Sequence, residues 1–237
     1  MGAIYRLTLR QLSGRWRLFI IAAVSALPVA ITLLTLRSSG APDLAEFESS
    51  IIGALLAGSA APLVVLAIAG AAFGNEVDDR TLANLTLVPL PRWQIALPKV
   101  LAAITIAGPF IAASAFLTAY IAFLGDMTAA LAVTVSALAG VALYAAAFVW
   151  LGLRASQAIG IGLLYIVLWE GFLASFVFGV RIVSIRYYVI ALMHGLDERR
   201  FAAVEHIGLA PAAALSALVF AGFVLLTVRR LKRMDVP

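Results

Sequence analysis

One carboxylate stands where an apolar chain tolerates charge least. Glu170 lies in Leu164-Tyr165-Ile166-Val167-Leu168-Trp169-Glu170-Gly171, near the middle of a long apolar run. A charged side chain at that depth of a bilayer costs about 2.5–3.5 kcal/mol on insertion scales. Such a residue reads either as a proton or substrate site on a transport path, or as a hydrogen-bond anchor for a neighbouring helix or subunit. No second intramembrane charge offers itself as a relay for it.

Other chemistry has less behind it. His194, Asp197, Glu198, Glu205 and His206 gather metal-ligand types, and His194 and Glu198 are four apart, as on one helix face. The pattern is not His-Glu-x-x-His, however, and no third ligand follows at a zinc-site spacing. Arg199 and Arg200 interrupt the cluster, which reads as a solvated outer loop, so no metal is expected. Gly-x-Ser-x-Gly does not occur, and an intramembrane protease would need a paired acid or a Ser–His couple at the depth where Glu170 stands alone. Cysteine is absent, which removes disulfides, zinc-thiolate sites, iron–sulfur clusters and thiol catalysis together. Lysine occurs twice, followed by Val100 and by Arg233, so the Gly-Lys-Ser/Thr core of a phosphate-binding loop is missing. The chain is not expected to be an enzyme; nucleotide energy would have to come from another polypeptide.

The densest polar stretch is 74–99. Asn75 is placed to cap a helix, with Glu76, Asp78 and Asp79 in the first turn, where the helix dipole favours acids. Val77, Thr81, Leu85 and Val88 follow at steps of 4, 4 and 3, and Leu82 widens that face. Pro89 and Pro91 stop the helix, Arg92 and Trp93 return the chain to the lipid interface, and Lys99 marks the mouth of the next apolar run. A short helix over about 76–88 with a partly apolar face suits either the membrane surface or a groove on a partner protein.

The elements that hold these residues are membrane helices. The 237 residues are 64% hydrophobic and 12% charged, against about 25% charged in soluble domains. Six apolar runs, about 18–36, 51–73, 100–124, 129–151, 158–180 and 207–228, are each long enough to cross a hydrocarbon core. An all-α polytopic membrane protein follows, and six spans with their loops use up residues 1–237 as a single domain. The first run is too long for the apolar core of a secretory signal and lacks a small-x-small cleavage site, so it reads as a retained span. Residues 1–17 carry Arg6, Arg10, Arg15 and Arg17 beside a stripe of Ile4, Leu7, Leu12 and Trp16, the pattern of an interfacial helix. Pro28, Pro62, Pro109 and Pro211 place one break each in spans one, two, three and six, and Gly70-x-x-x-Gly74 permits close helix approach. A very short turn around Gly125-Asp126 joins spans three and four. Tyr187 to Met193 is apolar enough to dip into the outer interface. No internal repeat is visible, which counts against inverted-repeat transporters.

Basic residues set the orientation. The N-terminus, the 74–99 stretch, the Arg154 loop and the C-terminal tail hold twelve Lys and Arg, and the opposite loops hold five: Arg37, Arg181, Arg186, Arg199 and Arg200. Both termini and the 74–99 loop are therefore expected in the cytoplasm of a cell-membrane protein. The same placement turns the net charge of +5 toward topology and away from nucleic acid.

Six spans with both ends inside, Glu76-x-x-x-Arg80-Thr81-Leu82, Pro89-x-Pro91-Arg92, and Lys99 entering span three together resemble permease subunits of type-two ATP-binding-cassette (ABC) exporters. Arg80 departs from the family's usual glycine. The resemblance implies a substrate-moving transmembrane subunit powered by a separate cytosolic ABC ATPase. That partner binds ATP and magnesium, so this chain holds no cofactor. It implies a coupling helix in the first cytoplasmic loop, seated in a cleft of the ATPase and bordered by the N-terminal interfacial helix. A second permease, the same or a similar chain, would pair with this one around a central path, in contact with membrane lipid. Short re-entrant helices are implied in 181–206. Glu76, Asp79, Arg80, Thr81, Leu82, Leu85 and Arg92 then carry force to the membrane and perform no bond chemistry. Two other readings of the residues stay open: a self-contained secondary transporter or channel using Glu170, and a membrane scaffold whose amphipathic loop recruits a cytosolic partner.

Overall fold

Backbone N–H and C=O groups inside hydrocarbon must be satisfied within the segment, so apolar runs of this length fold as helices. A computed structural model of the chain describes residues 1–39, 44–78, 90–155, 157–173, 184–201 and 207–233, and these contain helices and no strand. Helix α1 (Gly2–Leu12) is followed after Ser13-Gly14 by α2 (Arg15–Ser39). A continuous helical run then comprises α3 (Leu44–Phe47), a π-helical segment (Glu48–Ala60), α4 (Ala61–Ala69) and α5 (Ala71–Asp78). Helices α6 (Trp93–Ala122) and α7 (Met127–Arg154) form a long hairpin. After them come α8 (Ala158–Leu164) with a second π segment (Tyr165–Leu173), α9 (Ile185–Leu196) and α10 (Leu209–Arg233). Five stretches are long and apolar enough to span a membrane: Arg15–Ser38, Ala45–Gly74, Trp93–Ala122, Met127–Arg154 and Leu209–Arg233. Ala158–Phe172 is a shorter apolar helix where a fifth of six spans was expected, and residues 174–180 of that expected span lie outside the described residues.

The centre of the bundle is α7. It packs along α6 and against α4, α5, α9 and α10, while α1 and α2 lean on α6. Of the most apolar window in each helix, 67% is buried in α7 and in the run ending at Gly74, but only 22% in α2 and 11% in α10. The latter two therefore present apolar side chains such as Phe19, Leu27, Leu34, Leu218 and Leu225 outward, as lipid-facing helices do.

Local chemistry accounts for the joints. Between α6 and α7 the chain reverses through Leu124 and Gly125, at φ 54° and 87°, and Asp126 caps α7 by accepting from the Thr128 and Ala129 N–H groups. Pro62 sits in the first turn of α4, where π gives way to α, and Pro211 in the first turn of α10, where a missing N–H costs nothing. Pro211 therefore breaks no helix, contrary to expectation. Pro28 and Pro109 lie inside helices that continue past them. Helix α6 also begins seven residues earlier than the 100–124 reading, so Pro98 and Lys99 are inside it. The N-terminal stripe differs too: Thr8 and Leu12 are buried, with Ile4 half-buried one turn before, whereas Leu7 and Trp16 point away from the bundle.

The glycine spacing at 70 and 74 does bring helices together. A Cβ on Gly152 of α7 would lie 2.5 Å from the Gly70 carbonyl oxygen and 3.5 Å from the Gly74 nitrogen. Because the obstacle is backbone, it cannot turn aside. Gly152→Ala is expected to lose about 1–3 kcal/mol through overpacking, read as a lower thermal unfolding midpoint in detergent. Gly160→Ala, with nothing near its Cβ position, is expected to leave that midpoint unchanged or slightly raised.

Candidate functional site

The two ends of the 74–99 stretch meet inside the bundle. Lys99, in the second turn of α6, is buried with its Nζ 2.6 Å from Glu76 Oε1 near the end of α5. The same ammonium donates to the Ala72 carbonyl oxygen, one turn before Glu76 on the same helix, and lies 4.4 Å from the centre of the Phe73 ring. Two acceptors and an aromatic face thus surround a three-donor group. Glu76 is buried as well, and its Oε2 has no hydrogen-bond donor among the described residues. The ends of an acidic–apolar loop are thereby fastened 23 residues apart by a charge pair out of water.

Neighbouring elements brace this clamp. Helix α1 packs on α6 and touches α5, and the Tyr5 hydroxyl meets Thr105 Oγ1 of α6 at 2.9 Å. Arg92, half-buried, occupies the cap position of α6, its carbonyl accepting from Ile95 and Ala96 at 3.2 and 3.1 Å. Of the residues expected to carry force, the structure describes Glu76 and Arg92; Asp79, Arg80, Thr81, Leu82 and Leu85 lie outside the described residues. Lys99, read from sequence only as the mouth of a span, is the residue that joins Glu76. Its signal was scarcity, since it is one of two lysines in 237 residues.

Glu170 belongs to a different constellation. It is fully buried in the second π segment, where residues five apart share a face, and Tyr165 donates to its Oε1 at 2.8 Å. The Ile185 N–H donates to the same oxygen at 3.0 Å, and Ser184 Oγ donates to Oε2. Ser184 is also the N-cap of α9, accepting from Tyr187 N–H at 3.3 Å. The carboxylate therefore sits at the N-terminus of α9, where a negative charge is favoured.

The far end of α9 is fastened to the first π segment. His194 is buried, pairs through Nε2 with Glu48 Oε1, and stacks on Phe201 at 5.7 Å. Asp197 is likewise buried. These two residues are packed into the bundle instead of forming part of a solvated loop, because α9 buries most of its residues between α7 and α10. Arg186 lies along the first π segment, within 3.2 Å of the Cβ positions that Gly53 and Gly58 leave empty.

The family model described as ABC-2 family transporter protein matches residues 7–186, more than half of the chain. The chain belongs to the ABC-2 transporter family. It is a multi-pass, transmembrane component of an ABC transporter, as its motifs and its helices both indicate. No curated protein is similar enough to the chain to stand as a relative. The match runs from α1 through the clamp and Glu170 to Arg186, so both constellations fall within the ABC-2 region.

A buried pair that loses one member leaves the other charged and unsolvated, at a cost of about 3–5 kcal/mol, whereas replacing both with apolar groups is often neutral. Lys99→Met is accordingly expected to destabilise the protein by about that amount, and Lys99→Met/Glu76→Leu to recover most of it. Thermal unfolding of the single and double variants in detergent measures the coupling. Equal losses that simply add would mean that the pair does not act as a unit.

Proposed function

We propose that this ABC-2 protein is the membrane-spanning subunit of a transporter powered by a separate cytosolic ABC ATPase, and that the 74–99 stretch is its coupling loop. The observation that carries the reading is the Lys99–Glu76 clamp. A loop pinned at its base by a buried ion pair transmits a push as movement of both helices it joins. A loop held only by its peptide bonds would absorb the same push by bending. The apolar residues Leu82 and Leu85 and the Pro89-x-Pro91-Arg92 stop suit a short helix docked in a groove on the ATPase, although Asn75, Glu76 and Asp78, expected to cap and open that helix, lie in the last turns of α5. Asp79, Arg80 and Thr81 belong to the same loop, and Arg92 stands where the loop enters α6.

The distribution of basic residues, twelve on the side of both termini and five on the other, supports a cytoplasmic loop in a cell-membrane protein. Helix α1, with Leu7 turned outward and Arg6 and Arg10 along it, and Trp16 outward in the first turn of α2, suit the lipid interface beside the same loop. Residues 1–237 form one permease domain. The outward apolar residues of α8 and the second π segment, among them Ile159, Leu163, Val167 and Phe172, offer a face to a second permease chain, the same or similar. ATP and magnesium bind to the ATPase, and this chain carries force without catalysing a reaction. Glu170 and the α9 helix it caps support the side of the bundle away from the ATPase.

Co-expression with the cognate ATPase tests the reading. Leu82→Asp/Leu85→Asp is expected to abolish co-purification of the ATPase while the variant still reaches the membrane and keeps its unfolding midpoint. Lys99→Met/Glu76→Leu is expected to retain the ATPase yet lose at least tenfold in ATP-driven transport. Unchanged ATPase binding and transport in the Leu82/Leu85 variant would sink the coupling-loop assignment.

A further inference from the structure

Helix α1 turns one face to the bundle and another away from it. Thr8 and Leu12 are buried, and Ile4, Tyr5 and Leu9 are half-buried beside them. Ala3, Arg6, Leu7 and Arg10 are exposed, and steps of 3, 1 and 3 set them on a single opposite face. Arg6 and Arg10 stand one turn apart, about 6 Å along the axis, with Leu7 63% exposed beside them. Beyond Ser13-Gly14, Arg15 is exposed and Arg17 half-buried in the first turn of α2. Trp16 and Phe19, 75% and 64% exposed, stack there with ring centres 5.7 Å apart.

The positive charge of this surface has no counterpart among the described residues. The first acidic residue of the sequence is Asp43, so residues 1–42 contain no carboxylate side chain. None of Arg6, Arg10, Arg15 and Arg17 forms an ion pair with a described residue. Helix α5, which α1 touches, has its buried Glu76 committed to Lys99.

The surroundings of the patch say what kind of partner balances it. Trp16 and Phe19 open α2, a span with only 22% of its apolar window buried, so lipid borders it. An exposed tryptophan beside arginines at the end of such a span stands at the depth of lipid headgroups. An acidic protein surface would balance the arginines while leaving Leu7, Trp16 and Phe19 to water. A leaflet takes both, with charge at the headgroups and the apolar side chains at the acyl boundary.

We propose that the outward face of α1 binds anionic phospholipid, with the headgroup phosphate held by Arg6 and Arg10 and Leu7 resting at the acyl boundary. The proposal rests on the reading of α1 as an interfacial helix and adds the lipid class. Guanidinium groups one turn apart suit a phosphodiester, each donating from a planar fork. A zwitterionic lipid carries its own ammonium close to the phosphate, which offsets that attraction, whereas phosphatidylglycerol does not. Because α1 packs along α6 and meets Thr105 through Tyr5, lipid held on its outer face bears on the helix that carries Lys99.

The chain has no cysteine, so Ala3→Cys carries a fluorescent label at the patch and nowhere else. The labelled full-length protein is placed in vesicles of phosphatidylglycerol and phosphatidylcholine, with one lipid or the other brominated as the quencher. Comparing the two series gives the relative affinity of the site for each lipid. Phosphatidylglycerol is expected to be preferred about fivefold, the worth of one arginine at an anionic surface. Arg6→Gln/Arg10→Gln is expected to erase the preference. Arg229→Gln/Arg230→Gln, which removes equal charge from exposed positions of α10, is expected to keep it. An unchanged unfolding midpoint shows that each variant is folded. Equal quenching by the two lipids, a preference that survives Arg6→Gln/Arg10→Gln, or the same loss in the α10 variant would each overturn the proposal. The first of these outcomes leaves the interfacial reading of α1 standing, whereas quenching by neither lipid would remove that reading as well.

Discussion

An ammonium group removed from water must find acceptors, and in this protein the run ending in α5 supplies both. The Ala72 carbonyl and the Glu76 carboxylate are one helical turn apart, so Lys99 can reach the two together only if α5 presents one particular face to α6. Registry of that kind is the best-attested use of a buried charge pair. Apolar contacts between Ala- and Val-rich helices tolerate rotation and sliding, whereas a charge pair with a second acceptor does not. The orientation of the whole helical run from residue 44 to 78 therefore depends on an interaction at its last two turns.

The same few residues are gripped from other directions. Gly70 and Gly74 touch Gly152 of α7 backbone to backbone, and Leu66, one turn earlier, fills the space left by Gly162 of α8. Between 66 and 76, then, this run is fixed to three neighbours by three kinds of contact: a side chain in a glycine hollow, a backbone approach, and an ion pair. Its other end is held differently. There the π segment widens the helix, Gly53 and Gly58 leave a channel for Arg186, and Glu48 pairs with His194. One continuous run thus links the clamp to α9, and α9 is tied in turn to Glu170. A displacement at the loop base has a physical line along which to travel, through contacts that each have discrete geometry.

Much of this was legible in the sequence and some was not, for definable reasons. Apolar length and proline and glycine placement carried the spans, the turn at Gly125 and the close approach at Gly70 and Gly74, because each is a property of neighbouring residues. The Lys99–Glu76 pair is a contact across a loop, and periodicity says nothing about partners 23 residues apart. Lys99 could have been singled out only by asking what a rare lysine does inside an apolar helix. His194 and Asp197 were misread as solvated because Arg199 and Arg200 follow them, although the preceding Tyr187–Met193 run is what decides burial. The π segments left a fainter trace in residues five apart that act together, Gly53 with Gly58 and Tyr165 with Glu170. The span boundary moved because a lysine in an apolar chain reads as the mouth of a span, whereas α6 starts at Trp93 and holds both Pro98 and Lys99 in its second turn.

The geometry around Glu170 bears on what such a residue can do. Three groups donate to its two oxygens, and one of them, the Ile185 N–H, cannot reverse its role. A proton arriving on the carboxyl would need an acceptor of its own. The hydroxyls of Tyr165 and Ser184 could turn to provide one only by giving up their present bonds, and Ser184 already accepts from Tyr187 to cap α9. Protonation would thus disturb the start of the helix that His194 fastens at its other end. A shuttling proton site works best when its two states cost the surroundings little. Glu170 is built the opposite way, with the hydrogen bonds of both its oxygens spent on holding the start of α9 in place.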